Sequence, residues 1–323
     1  MALASIFGTN MFNYEPSGVV AFYEAYSAVR ESFARASEWT GLDVEPLLYQ
    51  NGSYDDESRR LQVVSVGLAA AQLGIQDVLM EKGLHPEVVG GLSLGGLVAG
   101  CVAGTIERRD LMRLLMEADH APEQDGGERA EGIAAAYLSL DFDPDHYYGE
   151  QREGVFLSAD FGCDAGGRLR IVMLSGYRDA LEKLAAEEPD GVINVTEGAD
   201  LAVHSPLRKK SWELTRAQLA GIRFTDPRLP VCSCLERRTL GTGDEIRDMF
   251  VDNVVKPISL VHLNDGMRQH GTALALVVGP SPVLNVLRYP FPVVFVDSPE
   301  AVPRAVAAVF EHGVRLRRAA GVR

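Results

Sequence analysis

Two residues have the types and settings to do chemistry: Ser93 in Gly91-Leu92-Ser93-Leu94-Gly95, and His204 at the head of His204-Ser205-Pro206-Leu207. A serine hydroxyl is a weak nucleophile until a base takes its proton, and histidine is the usual base. The G-x-S-x-G spacing has a steric reason. A serine on a sharp strand-to-helix turn needs neighbours without side chains. It then presents Oγ at a helix N-terminus, where backbone N–H groups face a developing oxyanion. The bare pattern also reads as an ordinary glycine-rich turn. The apolar run from Val88 to Gly91 predicts a strand before the serine, and Gly95 to Ala103 predicts a helix after it. Of the seven histidines, His85, His120, His146, His262, His270 and His312 lie in polar or helix-end contexts that suit surface or packing roles. His204 follows the apolar Leu201-Ala202-Val203 and opens a segment that turns into a helix. The alternative is a histidine that merely precedes an N-capping Ser205, with Pro206 at the first helical position.

Around these residues the chain reads as α/β. Residues 2–7 predict a short buried strand, ended by Gly8-Thr9-Asn10. Residues 17–39 predict an amphipathic helix, with Val20, Phe22, Ala25, Val29 and Phe33 at helical spacing. Leu61 to Lys82 predicts a longer helix closed by Gly83, and 106–117 another. A polar segment at 121–132 reads as a linker. Beyond it, strands at 133–140, 154–161, 168–175 and 192–196 and helices at 144–153 and 177–188 give a β-α-β-β-α-β order, which suggests a ferredoxin-like unit. Helices at 205–219, 244–255 and 302–319, with strands at 229–234, 274–278 and 292–296, return the α/β texture.

The bulk numbers exclude some roles. The 323 residues carry a net charge of −14, which disfavours nucleic acid or an anionic membrane as partner, since both need positive charge on the protein. Four cysteines, Cys101, Cys163, Cys232 and Cys234, form no C-x-x-C pair and read as reduced core thiols of a cytoplasmic protein. The N-terminus has no basic region or sustained apolar run, so no signal peptide is expected. No metal-binding or nucleotide-binding motif is apparent.

Four ordered landmarks span nearly the whole chain: Gly91-Leu-Ser-Leu-Gly95, His204-Ser-Pro-Leu207, Asn253-Val-Val-Lys-Pro257 and Val278-Gly-Pro-Ser-Pro-Val-Leu284. With them the sequence resembles the malonyl-CoA:acyl-carrier-protein transacylase family, including the acyltransferase domains of polyketide synthases. The resemblance implies an α/β-hydrolase-like large subdomain (1–127 and 198–323) with an inserted ferredoxin-like small subdomain (128–197). It implies a ping-pong acyl transfer in which Ser93 is acylated and His204 is the base, oriented by the backbone carbonyl of Asn253. The backbone N–H groups of Leu94 and Thr9 would form the oxyanion hole. Gln62, Leu92, Leu201 and Val203 would lie near the substrate.

The departures from the family pattern carry the specificity. Malonyl-type members hold the free carboxylate of the malonyl group with an arginine on the helix after the elbow. Counting from Arg113, that position falls on Ala118 or Asp119. Neither can hold a carboxylate, and an inward Asp119 would suit an amino group. The sequence therefore predicts a trans-acting acyltransferase that moves a non-malonyl acyl group (aminoacyl if Asp119 faces inward) from CoA or a carrier protein to, or between, acyl carrier proteins in polyketide-type biosynthesis. An editing hydrolase of acyl carrier proteins is the alternative. A catalytically weak carrier-binding protein and a malonyl transacylase are lesser ones. No cofactor is expected, with phosphopantetheine or CoA thioesters as substrates. An acidic carrier needs a basic dock. Arg208, Lys209 and Lys210 are the first candidates, with Arg237-Arg238 and Arg315–Arg318 behind them.

Overall fold

The computed structural model describes residues 1–9, 15–50, 52, 54, 56–118 and 129–314. The chain begins with β1 (Ala2–Phe7), α1 (Ser17–Ala25), α2 (Ser27–Thr40), α3 (Val44–Tyr49) and α4 (Glu57–Glu81), then β2 (Val88–Gly91), α5 (Leu94–Val102) and α6 (Arg108–Glu117). A middle section holds β3 (Glu131–Leu138), α7 (Pro144–Tyr147), β4 (Val155–Cys163), β5 (Arg170–Tyr177), α8 (Arg178–Glu187) and β6 (Ile193–Val195). The last section runs through α9 (Lys209–Leu219), β7 (Val231–Cys232), β8 (Thr239–Leu240), α10 (Gly243–Asp252), β9 (Ile258–Ser259), α11 (Leu260–Gln269), β10 (Thr272–Val278), β11 (Val293–Val296) and α12 (Ala301–Glu311).

Two sheets result. The first has the order β11-β10-β1-β2-β7-β8, parallel throughout except for the β7–β8 hairpin. Such a sheet is covered on both faces, so its strands are apolar on both sides. In β1, Leu3 and Phe7 enter the core shared with α2 and α4, while Ala4 and Ile6 enter a second core on the opposite face. The second sheet has the order β6-β3-β5-β4-β9. Its first four members pair antiparallel, in the sequence a ferredoxin-like β-α-β-β-α-β unit gives. Its faces divide by the period-2 rule. Ala134, Ala136 and Leu138 pack against Leu181 and Leu184 of α8, and the alternate residues turn the other way. Ala159 of β4 and Ile171 of β5 share the second core with β1, β2 and β10, which joins the two sheets.

The elements differ from the sequence expectation at several ends. The helix expected over 17–39 is two helices, broken where Tyr26 is extended. The Arg30 guanidinium donates to the carbonyls of Tyr23 and Glu24, in place of the amides a continuing helix would supply. The expected linker at 121–132 overlaps β3, which already starts at Glu131; residues 119–128 lie outside the described part. The helix expected over 144–153 is the single turn α7, followed by Gly149 at φ 100°. The helix expected from Ser205 begins as a 3-10 turn at Pro206–Arg208, and α9 starts at Lys209. α4 is long and apolar enough to cross a bilayer, but 89% of its apolar window is buried within the protein.

The segment returning from the second sheet to the first is braced by a buried ion pair. Glu131 and Arg208 are each 4% exposed. Glu131 Oε2 accepts from Ala202 N at 2.8 Å and lies 3.8 Å from Arg208 Nη1. Removing one partner of such a pair leaves a charge in the interior and costs about 3–5 kcal/mol. Glu131→Ala is therefore expected to lower the melting temperature clearly, while Glu182→Ala, on the exposed side of α8, leaves it nearly unchanged.

Candidate active site

The site lies at the carboxyl ends of β1, β2 and β10, neighbours in the first sheet. In an open parallel sheet this is where ligands bind. β2 ends at Gly91, and the chain turns through Ser93 into α5. Ser93 sits at φ 53°, ψ −122°, a conformation costing of order 1–3 kcal/mol and kept only where the surroundings impose it. Its neighbours explain the glycines. A Cβ on Gly95 would lie 2.0 Å from the Phe7 carbonyl oxygen, and one on Gly91 would lie 2.2 Å from the Gly95 backbone. The turn thus exposes Oγ while Leu94 N–H heads α5.

His204 also has a positive φ, 55°. Three bonds hold its segment. Ser205 Oγ donates to Ala202 O at 2.6 Å, Ser158 Oγ of β4 donates to Val203 O at 2.9 Å, and Ala202 N donates to Glu131. The imidazole is 7% exposed. Its Nε2 lies 3.0 Å from Ser93 Oγ, and its Nδ1 lies 2.5 Å from the carbonyl oxygen of Asn253. A carbonyl can only accept, so Nδ1 carries the proton and Nε2 turns its lone pair to the serine hydroxyl. Asn253 is the C-cap of α10. Its carbonyl is among those a helix end leaves free, and the negative end of the helix dipole favours an imidazolium there. Burial lowers the His204 pKa from 6.5 to about 4, against the opposing effect of the Asn253 bond. The imidazole is therefore neutral, the form a base needs. Burial raises the thiols of Cys101, Cys232 and Cys234 to about 12, so they do not compete as nucleophiles.

A cavity of about 430 Å³ opens on this pair. Thr9, Leu92, Ser93, Val203 and His204 line its first-sheet end. Its other wall is the second sheet: Ile133, Ala135 and Tyr137 of β3, Phe161 of β4, and Ile171 and Met173 of β5. No Asp, Glu, Lys or Arg stands among the described residues that line it.

No protein-family model matches the chain. The sequence is 27% identical over 269 residues to the malonyl-CoA acyl carrier protein transacylase of Haemophilus influenzae, covering 81% of this chain and 83% of that protein. In structure, it matches a transacylase solved in complex with a type II polyketide synthase acyl carrier protein, with TM-score 0.81 at 20% identity over 95% of this chain and 100% of that one. It also matches the acyltransferase domain from the second module of the salinomycin polyketide synthase, with TM-score 0.79 at 20% identity, covering 98% of this chain and 74% of that one. The chain is thus similar at low identity to malonyl-CoA:acyl-carrier-protein transacylases and shares the fold of those enzymes and of polyketide synthase acyltransferase domains.

The structure brings Ser93, His204, Asn253, Leu94, Thr9, Leu92 and Val203 together. Others fall elsewhere. Gln62 does not line the cavity: its Nε2 donates to the carbonyl of Ala118 at 3.0 Å, and its Oε1 accepts from Arg59. Ala118 is thus engaged through its backbone and is no part of the lining. Leu201 is buried at 3% exposure, away from the cavity. Asp119 lies outside the described residues, as do Arg315–Arg318. Arg208 is a correction: it is buried against Glu131 and donates to Ser211 Oγ at 2.6 Å, so it cannot meet a docking partner. Arg238 is matched by Glu236 and Glu245, which cancels its charge locally. The sequence reading missed Glu131, Ser158 and the second-sheet wall. The alternation in β3 and β5 was the available signal for the wall.

The lowered His204 pKa has a testable sign. Neutral His204 persists as pH falls, so the rate at which an activated acyl ester acylates Ser93 is expected to stay flat from pH 8 to pH 5 and to drop near pH 4. An acid limb near 6.5 would contradict the burial argument. The same shift is a stability term. The unfolded chain takes up a proton near 6.5 and the folded one only near 4, so up to about 3 kcal/mol is present above 6.5 and lost across that window.

Proposed function

We propose that this protein is an acyltransferase that moves a neutral, non-malonyl acyl group to or between acyl carrier proteins through an acyl-Ser93 intermediate, in polyketide-type biosynthesis. One observation carries the specificity: the cavity at Ser93 is walled by apolar side chains and offers no charged partner among the described residues. A malonyl carboxylate in it would be buried unpaired, at a cost of several kcal/mol. An ammonium group would meet the same penalty there, so an aminoacyl chain is supported only if Asp119 reaches the site.

The residues divide the work as follows. His204 Nε2 takes the proton from Ser93 Oγ as the oxygen attacks the thioester carbonyl. The N–H groups of Leu94 and Thr9 receive the oxyanion. His204 then gives the proton to the leaving thiolate, and the acyl group rests on Ser93. A second thiol, deprotonated by His204, attacks the ester; His204 returns that proton to Ser93 Oγ as the Oγ–acyl bond breaks, and the thiol carries the acyl group away. The chemistry needs no cofactor; CoA or phosphopantetheine thioesters are the substrates. The free cysteines suit a reducing cytoplasm.

Intact-protein mass spectrometry with malonyl, acetyl, hexanoyl and aminoacyl thioesters tests the reading. A hexanoyl adduct is expected on the wild type, absent from Ser93→Ala and passed to a carrier protein, with kcat/KM at least 100-fold above malonyl, since each 1.4 kcal/mol is tenfold. A stable malonyl adduct would overturn the specificity. Rapid release of free acid without transfer would turn the reading to an editing hydrolase.

With Arg208 withdrawn, Lys209 and Lys210, exposed at the start of α9, remain as the dock for an acidic carrier beside the His204 segment. Rim charges act mainly on encounter. Lys209→Glu with Lys210→Glu should raise KM for the carrier several-fold and leave kcat unchanged. An unchanged KM removes the patch.

A further inference from the structure

α4 carries an unexpected side chain next to the site. Gln72 is fully buried, among Leu68, Ala69, Ala70, Ala71, Leu73 and Ile75 of the same helix. A buried carboxamide costs free energy unless its groups are hydrogen-bonded. Gln72 Oε1 has no hydrogen-bond partner among the described residues. Its Nε2 makes one bond, to the carbonyl oxygen of Gly8 at 2.8 Å. Packing alone would favour an apolar residue here, so that bond is what the glutamine contributes.

We propose that Gln72 is a positioning residue for the oxyanion hole, aiming the Thr9 N–H by holding the Gly8 carbonyl. In a trans peptide the C=O and the following N–H point in opposite directions. With the Gly8 carbonyl fastened to α4, the N–H of Thr9 points away from α4, and Thr9 lines the Ser93 cavity.

The turn has little room to relax. A Cβ on Gly8 would lie 2.0 Å from Ser281 Oγ, so the chain leaving β10 packs closely against it. Gly279, at φ 83°, lets that chain pass over Gln72, where a Cβ would lie 3.0 Å from Gln72 Cγ. Leu92 N donates to the Phe7 carbonyl at 2.9 Å, which ties the end of β1 to the elbow. Leu94 N–H and Thr9 N–H are thereby set relative to one another. This inference rests on the reading of Ser93 as the nucleophile that attacks a thioester.

The test uses Gln72→Met, similar in length but without the donor, and Gln72→Leu. Three quantities are measured: the single-turnover rate of Ser93 acylation by hexanoyl-pantetheine, the Kd for its thioether analogue, and the melting temperature. The thioether has no electrophilic carbonyl and so develops no oxyanion. Acylation should fall at least tenfold, less than the loss of a whole donor. The thioether Kd should stay within twofold. The melting temperature should hold or rise, since an under-partnered polar group has been replaced by an apolar one. Acylation within twofold of the wild type overturns the proposal. So does a loss accompanied by equally weaker thioether binding or by a lower melting temperature. A wild type that takes no acyl group on Ser93 overturns the acyltransferase reading with it, whereas equal acylation of wild type and Gln72→Met overturns this inference alone.

Discussion

A carbonyl oxygen accepts hydrogen bonds and cannot donate them, so the contact between His204 Nδ1 and Asn253 O decides where the imidazole proton resides. That decision leaves Nε2 as the acceptor facing Ser93 Oγ. Much of the surrounding architecture serves this contact. α10 must end at Asn253 for the carbonyl to be free. The His204 backbone must take its positive φ to bring the ring between helix end and elbow. Ser205, Ser158 and Glu131 hold the segment in that conformation. An acidic side chain in place of the carbonyl would bring a buried charge against the neutral imidazole. The neutral acceptor avoids that desolvation cost.

The two sheets divide the remaining requirements. The parallel sheet supplies the reactive groups, because three of its adjacent strands end at the same edge with Thr9, Ser93 and the segment after Gly279. The second sheet supplies the wall opposite. Its period-2 alternation gives one face to α8 and the other to the cavity, so one set of strands forms both a core and a binding surface.

Much of this was legible in the sequence. Ser93, with a strand before it and a helix after it, gave the elbow, and the β-α-β-β-α-β order of the middle section gave the second sheet. Side-chain partnerships at long sequence separation were not legible. Arg208 reads as part of a basic run with Lys209 and Lys210, and only the fold brings Glu131 against it from 77 residues away in the sequence. Gln62 is placed near the substrate by the family resemblance alone, and in this chain its amide is taken by the carbonyl of Ala118. Tyr26 sits within a continuous helical pattern, and the break there depends on where the Arg30 guanidinium goes. For Arg208 and Tyr26 the tertiary contact overrides a local pattern.

The bracing of the His204 segment and the lining of the cavity draw on different residues of the same strands. β3 gives Glu131 to the brace and Ile133, Ala135 and Tyr137 to the wall; β4 gives Ser158 to the brace and Phe161 to the wall. The wall can therefore be recut, larger or smaller, by exchanging side chains at positions that make none of the dyad's hydrogen bonds. A lineage built on this scaffold can drift in what it accommodates while the Ser93–His204–Asn253 alignment stays inherited, because volume and alignment are encoded at separate addresses along the strands.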